Sequence, residues 1–196
     1  MKVLNLYAGI GGNRKLWEGV EVTAVEYNDT LAGVYSDLFP GDTVVIADAH
    51  QYLLDHFKEY DFIWSSPPCQ THSSFRQNIC VRYRGTEPKY PDMRLYQEII
   101  FLTYNFAEFW VVENVKPYYD YLIEPTKILQ RHAFWSNFEI SDAEFEKDVI
   151  RGKQIPQLQE HHGFDLSGYR IPNKRQALRN CVYPELGKHI LECATP

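Results

Sequence analysis

The chain lacks closely spaced cysteines: Cys69, Cys80, Cys181 and Cys193 lie far apart with no C-x-x-C unit. That argues against a disulfide framework or a zinc ribbon and leaves reduced thiols as the expectation. No apolar run is long enough to cross a membrane, and residues 1–6 enter a strand-like pattern without a signal peptide's small-residue cleavage site. A soluble cytoplasmic protein is therefore expected. Net basic charge is absent as well. With a formal charge of -6, any nucleic-acid contact must rest on a local basic patch. What the 196 residues do contain, 44% hydrophobic and 15% aromatic, is enough for one well-buried domain and too little for two of ordinary size.

Read in order, residues 2–7 alternate like a short strand, and Ala8-Gly9-Ile10-Gly11-Gly12 turns the chain into helix-compatible residues 13–18. Strand, glycine turn and helix open a nucleotide-binding α/β unit, where glycine lets the backbone approach a ligand closely. A second strand at residues 21–26 ends in Glu26, at the distance where a carboxylate takes ribose hydroxyls; a solvated loop carboxylate is the plainer alternative. Tyr27 beside it could stack on a purine. Asn28 or Asp29 caps a helix to about Leu38, a third strand covers residues 43–47 and ends at Asp48, and residues 49–57 read as helix. The fourth strand, residues 60–64, delivers Ser65-Ser66-Pro67-Pro68-Cys69-Gln70-Thr71-His72-Ser73. Two prolines make this a preset turn that aims its side chains. Cys69 therefore sits where open α/β sheets keep their chemistry, although an isolated cysteine is also commonly a small buried hydrophobe.

Periodicity fails over residues 73–93, where Arg76, Arg82, Arg84 and Lys89 alternate with Phe75, Tyr83 and Tyr90. Such a loop is a lid, a phosphate- and base-binding loop, or merely a solvated surface. A helix at about residues 91–106 follows, then a fifth strand, residues 109–112, ending in Glu113-Asn114-Val115. Adjacent fourth and fifth strands of a parallel sheet would set Glu113 beside Cys69.

The ordered set Ala8-Gly9-Ile10-Gly11-Gly12, Pro67-Pro68-Cys69-Gln70 and Glu113-Asn114-Val115 resembles the cytosine-C5 DNA methyltransferase family. The stretch from Ala177 to Gly187 resembles that family's final motif, so the resemblance spans the catalytic core. It implies an α/β, Rossmann-like class I S-adenosylmethionine-dependent methyltransferase fold, a mostly parallel sheet with helices on both faces. It also implies a cofactor site of Tyr7, Ala8, Gly9, Gly11, Gly12, Glu26, Tyr27, Asp48, Ala49, Pro68 and Asn180 for S-adenosyl-L-methionine. Cys69 would attack C6 of a cytosine flipped out of DNA, and Glu113, best protonated or sharing a proton, would contact N3 and the exocyclic amine. Arg131 would steady both, with His132 as its rival in the remnant Gln130-Arg131-His132. Gln70, Ser73, Ser74, Arg76 and Asn114 would meet the substrate.

The chain departs from the family pattern at Asn5, Tyr7, His72 and Arg179, and most of all in size. We expect a core at residues 1–138, a small insert at 139–172 in place of a target-recognition domain, and a C-terminal motif at 173–196. The insert is acidic first (Asp142, Glu144, Glu146, Asp148), then mixed (Arg151, Lys153, His161, His162). Relaxed specificity, a homodimer or a partner subunit would follow. Such compactness suits a bacterial enzyme or one carried by a phage, for restriction-modification or marking of phage DNA. Two alternatives stand beside the DNA reading: a tRNA cytosine-C5 methyltransferase and a non-catalytic cofactor- or nucleic-acid-binding relative. Zinc binding through Cys69, His72, His161 and His162 lacks the regular spacing of zinc modules, so no metal is expected.

Overall fold

The computed structural model describes residues 1–145, 152 and 154–195. Seven strands form one sheet: β1 (Lys2–Leu6), β2 (Glu21–Val25), β3 (Thr43–Val45), β4 (Phe62–Ser65), β5 (Phe109–Val115), β6 (Lys127–Leu129) and β7 (His132–Ser136). Their order is β3-β2-β1-β4-β5-β7-β6. The first five are parallel; β7 runs antiparallel to β5, and β6 antiparallel to β7. The chain winds outward from β1 in one direction and resumes on its other side with β4. The crevice at the carboxyl ends of β1 and β4 is therefore the switch point where such sheets bind ligands.

The central strands are buried on both faces, which is why they read as near-continuous apolar runs. Leu4, Leu6, Ile63 and Val112 point into a core shared with α2 (Ala49–His56) and α3 (Arg94–Asn105). Helix α3 supplies Leu95, Tyr96, Ile99 and Leu102, a stripe at helical spacing. Val3, Phe62, Trp64 and Val111 face the other way, onto Trp17 and α6 (Pro184–Ala194) with its Leu186, Ile190 and Leu191. Helix α1 (Asp29–Leu38) is capped by the Asn28 side chain, which accepts from Leu31 N, and it buries Tyr35 against Ala8 and Ala24. Helices α4 (Ile155–His162) and α5 (Lys174–Asn180) flank the glycine turn: Leu158, Phe164, Leu166 and Leu178 pack on Ile10 and Val34. The described part of the insert at 139–172 thus packs on the wall of the crevice; Glu146, Asp148, Arg151 and Lys153 lie outside the described residues. Among those described, no helix is long and apolar enough to cross a membrane.

Two expectations fail locally, and one strand is additional. Residues 13–18 form turns, not a helix. Asn13 is buried and donates its side-chain amide to Asn5 Oδ1 at 2.8 Å, while Arg14 Nη1 caps the Trp17 carbonyl at 2.7 Å, so side chains take the place of a helical ladder. Residues 73–93 are not wholly irregular, because Arg76–Val81 make a short, wide helical turn of the π type. Strand β6 was not anticipated: it is three residues long and reverses into β7 through Gln130, at φ 52, with no glycine or Asn-Gly pair to mark the turn.

The docking of α6 gives a direct test. A methyl group at Gly187 would meet the Asn13 backbone, 2.7 Å from its Cα. Gly187→Ala should lower stability in urea denaturation by about 1–3 kcal/mol, as for overpacking elsewhere. Exposed Gly168, whose added methyl would touch nothing within 4 Å, should tolerate alanine within about 0.5 kcal/mol.

Candidate active site

A cavity of about 520 Å³ opens at the switch point. Tyr7 leaves β1 in the left-handed region, at φ 57, and starts the glycine turn. Gly9 N donates to Glu26 Oε2 at 2.8 Å and Asn28 N to Oε1 at 2.9 Å, so two amides fix the carboxylate at the end of β2. Each oxygen keeps a further lone pair for a ligand hydroxyl. Asp48 caps α2 by accepting from Gln51 N at 3.0 Å, and Tyr27 is exposed at the rim. Ala8, Ala49, Pro68 and Asn180 also line this space. Gly11 does not: a methyl there would run into the rings of Tyr35 and Phe39, so its smallness serves packing on α1. At Gly12 a methyl would sit 2.6 Å from Cys181 Cβ, which shows how tightly the segment after α5 closes the turn.

The same cavity reaches Cys69, Glu113, Arg131 and His132. Strand β4 pairs with β5 in parallel, Ser65 opposite Val112, so the Pro-Pro-Cys turn and Glu113 emerge side by side. The Cys69 carbonyl accepts from both His72 N and Ser73 N at 3.1 Å, closing the turn. Asn114, expected to contact substrate, is buried and lines neither this cavity nor the next. Its amide donates to the Pro67 carbonyl at 2.9 Å, so it positions the turn.

Cys69 is half-buried by surface, yet its thiol is pushed up to about 11, first by desolvation and then by the Glu113 charge, with Arg131 pulling the other way. Burial also pushes the Glu113 carboxyl up, but the neighbouring His132 and its hydrogen bond, the Ser66 hydroxyl and Arg131 outweigh that and hold it below the usual carboxylate range. In the free protein, with no charge developing on a bound ring, the carboxyl is therefore ionised. The steadying role assigned to Arg131 is divided. His132 Nδ1 bonds Glu113 Oε1 at 2.5 Å, whereas Arg131 Nη2 donates to the carbonyls of Arg179, at 3.3 Å, and Cys181, at 3.0 Å. Arg131 therefore ties the end of α5 to the site while its charge acts on both Cys69 and Glu113.

Ser73, Ser74 and Arg76 line a second cavity of about 460 Å³, which meets the first at Cys69, Gln70, Arg131 and Asn180. Arg76, Lys116, Arg131 and Arg179 line it and, among the described residues, no carboxylate does, a local basic patch on an acidic chain. Sequence reasoning missed Lys116, which follows the Glu113 motif directly, and it treated Arg179 only as a departure. It also missed Glu98. That carboxylate, buried on α3, accepts from the Tyr7 and Ser65 hydroxyls at 2.5 Å each and meets His50 Nδ1 at 2.8 Å. His72 is occupied by Tyr119 Oη at 2.5 Å and the Asp92 carbonyl at 3.0 Å, and no group of three or more metal-ligating side chains occurs among the described residues.

The family model for C-5 cytosine-specific DNA methylase matches residues 1–120. The chain belongs to that family. The methyltransferases of this family depend on S-adenosylmethionine. Among the curated proteins no match was found. Among solved structures, the chain is similar to a mutant of Spodoptera frugiperda DNMT2, at 28% identity over 59% of this chain and 35% of that one, with a TM-score of 0.42. It is also similar to a protein described as a DNA modification methyltransferase encoded within an Escherichia coli prophage, at 22% identity over 61% and 33% of the two chains, with a TM-score of 0.40. A third is an S-adenosylmethionine-dependent methyltransferase from Agrobacterium tumefaciens, at 18% identity over 61% and 40%, with a TM-score of 0.38. The chain thus spans about a third of the length of the DNMT2 and prophage-encoded proteins.

The residues present suit the family's cofactor. The cavity lies within the ~300–1,000 Å³ usual for such ligands. A carboxylate held by two amides, an exposed tyrosine ring and a glycine with open space before it offer acceptors, a stacking face and close backbone approach.

Electrostatics at Cys69 can be read by alkylation. Iodoacetamide modification of Cys69, followed by mass spectrometry of its peptide, should rise with pH toward about 11. Glu113→Gln removes the negative neighbour and should move that midpoint down; Arg131→Gln removes the positive one and should move it up. Either variant shifting the opposite way would contradict the charge assignment.

Proposed function

We propose that the chain is a DNA cytosine-C5 methyltransferase. The observation that carries the reading is a single cavity lined by both the Gly9–Glu26 cradle and the Cys69–Glu113 pair. In this reading Glu26 takes the ribose hydroxyls, Asp48 the adenine amino group, Tyr27 the adenine face and Asn180 the closing side. S-adenosylmethionine bound there supplies a methyl group activated on a sulfonium. C5 of cytosine is inert to such a donor until its ring is made electron-rich.

Cys69 answers that need. Its thiolate forms a bond to C6, the ring double bond gives its electrons toward C5 and N3, and Glu113 stabilises the charge at N3 and the exocyclic amine. C5 then takes the methyl group, a base removes the C5 proton, and the C6–S bond breaks to return the thiolate. Because the thiol rests near 11, activation is required. Arg131 contributes, and so does neutralisation of Glu113 as it engages the base. C6 is buried in a duplex, so the target nucleotide must leave the stack. Arg76, Lys116 and Arg179 suit the flanking phosphates, and Gln70, Ser73 and Ser74 the flipped nucleotide. The short region at 139–172 offers little surface for reading sequence. Recognition is therefore relaxed or is supplied by a second copy or a partner subunit, as suits a compact cytoplasmic enzyme of a bacterium or phage.

A tRNA cytosine is the second substrate to test, because the same pocket chemistry serves it. The purified protein, given tritiated S-adenosylmethionine with duplex DNA, single-stranded DNA or tRNA, should label duplex DNA. DNA bearing 5-fluorocytosine should yield a cofactor-dependent covalent adduct that Cys69→Ser does not form. Label confined to tRNA would overturn the DNA assignment, and absence of both label and adduct would overturn the enzyme.

A further inference from the structure

The resemblance implied that Arg131 would steady Glu113; here the hydrogen bond to that carboxylate comes from His132. Strand geometry explains the contact. In the β5–β7 pairing Val115 lies opposite His132 and Glu113 opposite Phe134, so Glu113 and His132 are diagonal neighbours on one face. Both are buried, 6% and 2% exposed, and both line the cavity beside Cys69. The other titratable or charged groups at this end are Cys69 on the turn after β4, Lys116 beyond β5, Arg131 next to His132 and Arg179 on α5. Toward the cofactor cradle lie Tyr7, Glu26, Asp48 and Arg94. Across β7 the neighbour of His132 on β6 is Leu129, and the Phe134 ring is 6.2 Å away, so neither brings a charge.

We propose that His132 is a positioning residue that stores the proton Glu113 lends to N3 of cytosine, making the covalent step depend on protonation of the His132–Glu113 pair. The inference rests on the cytosine reading above. In the proton-loaded pair His132 carries one proton on Nε2, and a second lies between its Nδ1 and Glu113 Oε1. The Cys69 thiol releases its proton to solvent, the thiolate bonds to C6, and electron density moves toward N3. Glu113 then passes the shared proton to N3, leaving a neutral imidazole and a carboxylate. When the C5 proton is removed and the C6–S bond breaks, N3 returns its proton through Glu113 to His132. The pair ends as it began. An arginine in this place could hold the carboxylate but could not lend a proton, since a guanidinium does not give one up.

Two rates measured on the same protein separate the terms. Iodoacetamide alkylation of Cys69 follows thiolate alone, whereas adduct formation on 5-fluorocytosine DNA follows thiolate multiplied by the protonated pair. The ratio of adduct rate to alkylation rate should therefore fall for wild type as pH rises and the pair loses its proton. In His132→Asn, which can still donate to Glu113, the ratio should be lower by about 10²-fold and flat with pH. His132→Arg should not restore it. Calorimetric binding of S-adenosylmethionine shows whether each variant is folded, and the wild-type ratio stands alone if neither is. A wild-type ratio independent of pH, or full rescue by His132→Arg, would overturn the proposal and leave the enzyme reading intact. No adduct with wild type on any nucleic acid would overturn both.

Discussion

Everything at the site depends on the parallel pairing of β4 with β5. Ser65 opposite Val112 fixes where two chains leave the sheet, and a slip of one residue would send Glu113 to the opposite face. Burial on both sides holds the register: Phe62 and Trp64 pack toward α6, and Ile63 toward α3. Beyond the last ladder bond the prolines at 67 and 68 have no N–H to offer, so the turn is held otherwise, by Asn114 on the Pro67 carbonyl and by two amides on the Cys69 carbonyl. The place of the Cys69 thiol is thereby set by core packing rather than by loop chemistry.

One buried carboxylate does similar work beneath the cofactor cradle. Glu98 reaches from α3 to Tyr7 at the end of β1, Ser65 at the end of β4 and His50 on α2, so one group joins the bases of three segments. A lone buried charge would cost several kcal/mol, and satisfying it with three partners makes the arrangement cooperative. The bond to Glu98 raises His50, with burial opposing, while burial and the Glu98 charge raise the Tyr7 phenol. The hydroxyl of Tyr7 also explains why a left-handed, non-glycine residue is stable there: its side chain is tethered across the crevice.

Much of this was legible in the residues because local rules and tertiary packing agree. Buried runs marked β1, β2, β4 and β5, Asn28 or Asp29 announced a helix cap that the structure gives to Asn28, and the Pro-Pro-Cys turn announced a rigid exit from a strand. The misses occur where long-range partners override local preference. Residues 13–18 have helical composition, but Asn13 is claimed by Asn5 and Trp17 by the Gly187 carbonyl. Glu98 sits in a helical pattern that reads as a solvated carboxylate until its three partners from elsewhere in the chain arrive. The choice between Arg131 and His132 could not be made from spacing, since adjacent residues at a hairpin point to opposite faces and only the β5–β7 register says which meets Glu113.

The raised thiol at Cys69 is at first sight a poor design for a nucleophile, because thiolate is the reactive form. Its causes resolve the difficulty. Desolvation is permanent, but the second contribution comes from the ionised Glu113, whose charge on the proposed reading is spent on the base. With the pocket empty, carboxylate and thiol oppose one another and the sulfur stays protonated, which limits adventitious alkylation or oxidation. On the proposed reading, with a cytosine seated Glu113 holds a proton toward N3 while its other oxygen accepts from the exocyclic amine, and the Arg131 guanidinium, which favours thiolate, is left unopposed by it. Nucleophile activation is then coupled to occupancy by the correct base through electrostatics alone, without movement of the cysteine. The same coupling makes the partner of Glu113 consequential: whatever sets the protonation of that carboxylate sets the reactivity of the thiol.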